Sequence, residues 1–221
     1  MASPRCITVG TTAYPRSPYG IAKAVDKLQN LGGNGAVLVP PGDPIQWDTT
    51  GIVNRTDGVT ISSCPGTRVQ VKLPATNEAV VPFIFSGAGR VSTHLLTANA
   101  SIGDRRIPST GLVQDDLVLV SDTFPNWQVV RMQDGVGGIS DQLAEDFSPF
   151  RNAVAQPLSM LKRCKLSGFD FDANGNTGQG SFGAQFYYAN QCEASSNTFT
   201  GFGAQPTQGG FFGIYGYMNT W

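Results

Sequence analysis

The sequence predicts an all-β solenoid, in which one chain winds through stacked coils of short parallel strands behind a single amphipathic helix. Three observations carry the prediction. Residues 161–221 repeat themselves: LKRCKLSGFDFDANG and YANQCEASSNTFTGFG superimpose with Cys164 over Cys192 and Phe171 over Phe199, at a period of about 28. A fainter echo sets Tyr188, Asn190 and Cys192 against Tyr217, Asn219 and Trp221. Elsewhere the apolar runs are short, broken by Gly, Pro and Asn, and free of two-residue hairpin turns. Only one stretch has helical spacing. Repeats of this length mark stacked units, none of which buries its apolar face alone.

Taken in order, residues 1–18 read as an irregular lead-in containing Pro4, Pro15 and Pro18. Ile21, Ala24, Val25, Leu28 and Leu31 then form the apolar stripe of a helix, started by Ser17-Pro18 and ended by Gly32-Gly33. An apolar stripe must cover something, and the open end of a solenoid core needs a lid. Residues 1–35 are therefore assigned to lead-in and cap, and residues 36–221 to the coils. Val37-Leu38-Val39 is a strand stopped by Pro40-Pro41-Gly42. Further strands fall at Val59-Thr60-Ile61, Val69-Gln70-Val71 and Phe83-Ile84-Phe85. The spacing of Ile61 and Phe85 reads as one coil. Residues 97–157 depart from the coil period. About five coils fit in all, and the chain reaches Trp221 in mid-coil. That end calls for more chain or a covering subunit.

Composition narrows the function. Charged residues are 14% of the chain, against about 25% in an average domain. Net charge is −1 and no Lys/Arg run exists, so neither nucleic acid nor an anionic membrane surface is an expected partner. No apolar run approaches the roughly 20 residues that span a bilayer, and the N-terminus lacks the apolar segment of a signal peptide. Four cysteines show no CxxC or zinc spacing; Cys164 and Cys192 read as buried free thiols. His94 is the sole histidine, which excludes His₂ or His₃ zinc sites. No cofactor is expected.

The catalytic candidates are Asp170 and Asp172, in Phe169-Asp170-Phe171-Asp172. On a strand, alternation buries both phenylalanines and turns both carboxylates outward, roughly 6.5–7 Å apart. That separation suits the acid and base of an inverting glycosidase. The stronger reading is local: Asp172 opens the turn Ala173-Asn174-Gly175-Asn176. A lyase reading places a base among Lys162, Arg163 and Lys165, with Tyr187 and Tyr188 one coil later. A solvated coil face explains the same residues more simply. Aromatics gather near the C-terminus: Phe186, Tyr187, Tyr188, Phe199, Phe202, Phe211, Phe212, Tyr215, Tyr217 and Trp221. Half belong to interior ladders. Of the outward remainder, Tyr187, Tyr188, Tyr215 and Tyr217 are the candidates to stack on sugar rings, with burial against another subunit as the competing use. Two acidic groups, Asp115, Asp116 and Asp122, and Asp141, Glu145 and Asp146, lack an ion-loop spacing and read as solvated turns, so no metal site is assigned.

The segment IAKAVDKLQNLGGNG, running into AVLVPPGDPI and then GVTISSCPGTRVQV, resembles the opening of pectate-lyase-like β-helix proteins over residues 20–73. The block ANASIGDRRIPSTGLVQDDLVLVSD is similar to one in phage tailspikes and related bacterial β-helices. There a coil loop expands around a Gly-Asp-Leu-Val turn, which reads Asp115-Asp116-Leu117-Val118 in this chain. The resemblance implies a right-handed single-stranded parallel β-helix with an N-terminal cap helix, most like phage tailspike or tail appendage proteins. It implies a virion tail protein, made in the host cytoplasm, that binds host surface polysaccharide, with cleavage left open. The alternatives are a non-enzymatic structural appendage or adaptor of the virion, and a bacterial pectate-lyase-like polysaccharide lyase. Implied partners are host polysaccharide, other virion tail proteins and two further copies in a homotrimer.

Overall fold

A computed structural model describes residues 5–48, 51–123, 126–178 and 180–202, and the backbone of 214–217. The chain divides into two compact units, Met1–Gly87 with Leu161–Trp221, and Ala88–Met160.

The first unit opens with β1 (Arg5–Thr8) and α1 (Pro18–Asn30), followed by β2 (Gly35–Val39), β3 (Ile45–Gln46) and β4 (Ile52–Asn54). Next come β5 (Val59–Ser63), β6 (Val69–Lys72) and β7 (Phe83–Ser86). The second unit holds β8 (Gly89–Arg90), β9 (His94–Leu95), β10 (Leu117–Ser121), β11 (Trp127–Arg131) and β12 (Val154–Ser159). The chain then rejoins the first unit with β13 (Leu161–Lys162), β14 (Lys165–Ser167), β15 (Phe169–Asp172) and β16 (Ala184–Tyr187). It continues through β17 (Ala189–Asn190), β18 (Glu193–Ser195), β19 (Thr198–Thr200) and β20 (Ile214–Tyr217).

Among the described residues of the first unit, every strand pairing is parallel. Successive strands are dealt to three longer sheets, ordered β1-β2-β5-β14-β18, β19-β15-β6-β3 and β20-β16-β7-β4, while β13 and β17 pair as a separate two-stranded sheet. Inward residues stack in register as rungs: Val37, Ile61, Leu166 and Ala194 in the first sheet, and Ile45, Val71, Phe171 and Phe199 in the second. Phe171 and Phe199 stack with centroids 5.1 Å apart, and Phe85 and Phe186 at 4.8 Å. Each fully buried side chain of this size contributes about 1.5–3 kcal/mol.

The repeat read from the sequence is the step from β15 to β19, on which Phe171 pairs with Phe199. Ile61 and Phe85 do not stack. Ile61 pairs with Val37 and Leu166, whereas Phe85 pairs with Asn54 and Phe186. They lie in different sheets of one circuit, and variable corner lengths produced the matching interval. The fainter echo is also out of step, because β16 and β20 pair Tyr187, not Tyr188, with Tyr217. Asn219 and Trp221 lie outside the described residues.

Residues 5–8, read as irregular, form β1 and pair with β2. The prolines flank that strand rather than interrupt it, so its backbone donors stay available. In α1 the Ser17 side chain accepts from Gly20 N–H at 3.3 Å and Pro18 opens the first turn. Gly33 N–H bonds back to Leu28 carbonyl at 2.9 Å, with Gly32 left-handed at φ 84°. Ile21, Ala24, Val25 and Leu28 are fully buried in the core, but Leu31 is 41% exposed. As C-cap residue, Leu31 has left the helical phase.

The second unit is an antiparallel sheet ordered β11-β10-β12-β8, with β9 also paired to β12. Its own core gathers Ile107, Val118, Val120, Val130, Met132, Ile139 and Phe147. Asp115 stands at the turn position where the resemblance has Gly. It adopts φ 68°, a left-handed conformation that Asp tolerates better than most residues, and donates its N–H to Met132 carbonyl at 2.9 Å.

Candidate functional site

The outer face of the second sheet collects the polar side chains with chemical potential. Phe169 and Phe171 are buried, at 0% and 1% exposure, so Asp170 and Asp172 alternate outward. Register aligns Gln70, Asp170 and Thr198 in one row, and Gln46, Lys72, Asp172 and Thr200 in the next. Gln70, Lys72, Asp170, Phe171, Asp172 and Thr200 line a groove of about 330 Å³.

Asp170 is held on several sides. Arg68 Nε donates to both its carboxylate oxygens, at 2.8 and 2.9 Å, and Arg68 Nη2 donates to Oδ1 as well. Thr198 Oγ1 donates to Asp170 Oδ1 at 2.5 Å while accepting from Arg68 Nη2 at 2.6 Å. Arg68 Nη1 reaches Ser196 carbonyl at 3.0 Å. The guanidinium hydrogen bonds, reinforced by Thr198, hold the Asp170 carboxyl below the usual carboxylate range against the opposing effect of partial burial. Asp170 in turn raises the pKa of Arg68. In this setting the Asp170 carboxyl carries no proton at neutral pH, and a general acid must carry one.

Asp172 is engaged on one oxygen only. Its Oδ1 accepts from Asn174 N–H at 2.8 Å, at a corner where Asn174 is left-handed with φ 50°. The second oxygen has no hydrogen-bond partner among the described residues. Lys72 is paired with Asp172 in register, and its ammonium makes no hydrogen bond or ion pair among the described residues. Sequence reading missed both Arg68 and Lys72. Arg68 meets Asp170 from 102 positions away, and no local pattern encodes that approach.

The other candidates disperse. Tyr187 and Tyr188 are half-buried at the end of β16 in the third sheet, with Tyr188 left-handed at φ 48°. The backbones of Tyr215 and Tyr217 lie in β20 opposite Gln185 and Tyr187, and their side chains are outside the described residues. Phe211, Phe212 and Trp221 are outside them as well. Lys165 belongs to the first sheet and pairs with Glu193 at 2.9 Å. Arg163 occupies a left-handed corner, at φ 55°, and Lys162 is exposed beside it.

The buried Cys164 N–H lies 3.4 Å from Cys192 Sγ, and both thiols are free. The neighbouring sulfur and burial together push the Cys164 thiol up, away from nucleophilic thiolate. In the second unit Asp122 pairs with Arg151 Nε at 2.8 Å, and Asp146 Oδ1 accepts from Ile102 N–H at 2.8 Å. Among the described residues no three His, Cys, Asp or Glu side chains converge as metal ligands, and no helix is long and apolar enough to cross a membrane.

No protein-family model matches this chain, and no curated protein matches it. Solved structures do. The chain is similar to the Gp54 tailspike of Acinetobacter baumannii bacteriophage AP22, which was solved in complex with A. baumannii capsular saccharide. That match has a TM-score of 0.55 at 11% identity and covers 80% of this chain and 34% of the tailspike. It is also similar to the Pseudomonas phage phi297 tailspike gp61, with a TM-score of 0.53 at 13% identity, covering 90% of this chain and 38% of that one. The matches thus span little more than a third of each tailspike. At these identities the likeness concerns the fold, a tailspike-like parallel β-helix.

Proposed function

We propose that the first unit is a closed, right-handed parallel β-helix of tailspike type, and that the chain serves in a phage virion tail by binding host surface polysaccharide. The observation that carries this reading is the groove on the second sheet. It is lined by the polar side chains Gln70, Lys72, Asp170, Asp172 and Thr200 on neighbouring parallel strands, and the Lys72 ammonium and one Asp172 oxygen are left without protein partners among the described residues. A groove presenting such donors and acceptors suits hydroxyl-rich sugar rings. The fold likeness to tailspikes, one of them carrying a capsular saccharide, supports the same reading.

Within this proposal Asp172 is a contact residue and Asp170 a structural counter-ion. Tyr187 and Tyr188, at and just beyond the end of β16, are proposed as a second contact, as are Tyr215 and Tyr217 of β20, whose side chains lie outside the described residues. Binding is favoured over cleavage, because Arg68 and Thr198 occupy both Asp170 oxygens, leaving that carboxylate neither a proton to give as acid nor a free oxygen to activate water as base. Assembly into a homotrimer and attachment to other tail proteins complete the proposal. Exposed Leu95, Trp127 and Phe150 on the second unit, at 69%, 54% and 95%, support such contacts. The test is equilibrium binding of purified bacterial surface polysaccharides, with the reaction mixture assayed for new reducing ends and unsaturated products. Binding without scission is expected. Failure to bind any polysaccharide would contradict the proposal, and scission lost in Asp172→Asn would restore a catalytic role.

A further inference from the structure

The charges around the groove cancel in pairs. Arg68 neutralises Asp170 through the clamp described above. The remaining two, Lys72 and Asp172, sit side by side as register partners on β6 and β15, about 4.8 Å apart at the backbone. Gln70 and Thr200 line the same groove, and Gln46 continues the Lys72 row on β3. The ammonium only donates hydrogen bonds and the carboxylate only accepts them. A hydroxyl group does both, so two neighbouring hydroxyls on one ring satisfy both residues at once. A sugar carboxylate satisfies Lys72 but brings its charge beside Asp172, where like charges repel.

We infer that this groove selects an uncharged sugar residue, with Lys72 donating to one of its hydroxyls and the free Asp172 oxygen accepting from an adjacent one. The inference rests on the polysaccharide-binding reading and narrows its ligand class. Asp170 takes no part in recognition. Because no net charge is brought together, binding is nearly independent of salt.

The experiment measures binding of the full chain to purified bacterial surface polysaccharides of known repeat unit, some uncharged and some containing uronic acid, at low and high sodium chloride. Binding is expected to uncharged polymers, with a Kd that changes by less than about twofold between the two salt concentrations. Lys72→Ala and Asp172→Asn are each expected to weaken it by at least about tenfold. The Asn side chain can still cap the Asn174 turn, so Asp172→Asn remains folded. Lys165→Ala, on another sheet, serves as the unaffected control. Binding confined to uronic-acid polymers and weakened by salt would overturn the inference while leaving the polysaccharide-binding reading intact. Unchanged affinity in Lys72→Ala and Asp172→Asn would overturn it too. Absence of binding to every polymer would remove the functional reading itself, and the inference with it.

Discussion

Arg68 grips Asp170 through both carboxylate oxygens, at 2.8 and 2.9 Å, across an interval of 102 residues. The same guanidinium bonds Thr198 and the Ser196 carbonyl, so one side chain ties strands β6, β15 and β19 together on the outer face.

Removing the clamp gives a pH-dependent loss of stability. Hydrogen bonds from Arg68 lower the folded pKa of Asp170, so just below the ordinary value of about 3.9 the folded state binds fewer protons than the unfolded state. Stability from this group is therefore complete above about pH 4 and is lost as pH falls through the depressed folded value. Asp170→Asn is expected to cost about 1 kcal/mol at pH 7, discounted for the partial exposure of both partners, and the difference from the parent chain shrinks toward pH 2. Urea midpoints across that range measure it. A constant difference would refute the clamp.

Phe171 lies on a rung between Val71 and Phe199 and is 1% exposed. Phe171→Ala is expected to destabilise the chain by about 3–5 kcal/mol, with Phe171→Leu losing much less. Chemical denaturation distinguishes them, and similar midpoints would mean that the rung is not packed as described.

Asn176 is 7% exposed and joins two successive circuits. Its Nδ2 donates to Pro74 carbonyl at 2.9 Å, and its Oδ1 accepts from Ser181 Oγ at 2.7 Å and Gly178 N–H at 3.0 Å. Asn176→Ala strands these groups and is expected to cost about 2 kcal/mol. Faster amide exchange at Gly178 is the local readout; unchanged protection there would contradict the network.

Gly168 has φ 83°, and a Cβ added there collides with Ser63 Oγ. Gly168→Ala is expected to lower the melting temperature, and Ser63→Gly to restore only part of the loss, because the backbone strain stays. Full restoration would show that the collision alone matters.

Much of the architecture was legible because interior rungs repeat in the sequence. Cys164 and Phe171 recur as Cys192 and Phe199, and the helix was readable from Ser17-Pro18 and its apolar stripe. The step from β6 to β15 was hidden, because the second unit interrupts the coils between them. That interruption is why Arg68 and Lys72 went unseen while Asp170 and Asp172 stood out. Alternation placed both carboxylates outward correctly. It could not tell that one would be locked to an arginine from an earlier circuit and the other left half free.

On the proposed reading, the outer face of the second sheet receives a saccharide at Lys72. Amine acetylation of the chain with and without a bound polysaccharide, read by mass spectrometry at each lysine, tests it most directly. Lys72 is expected to be protected in the complex while Lys165, paired with Glu193 on the first sheet, reacts as before. Equal labelling of Lys72 with and without the saccharide would contradict the account.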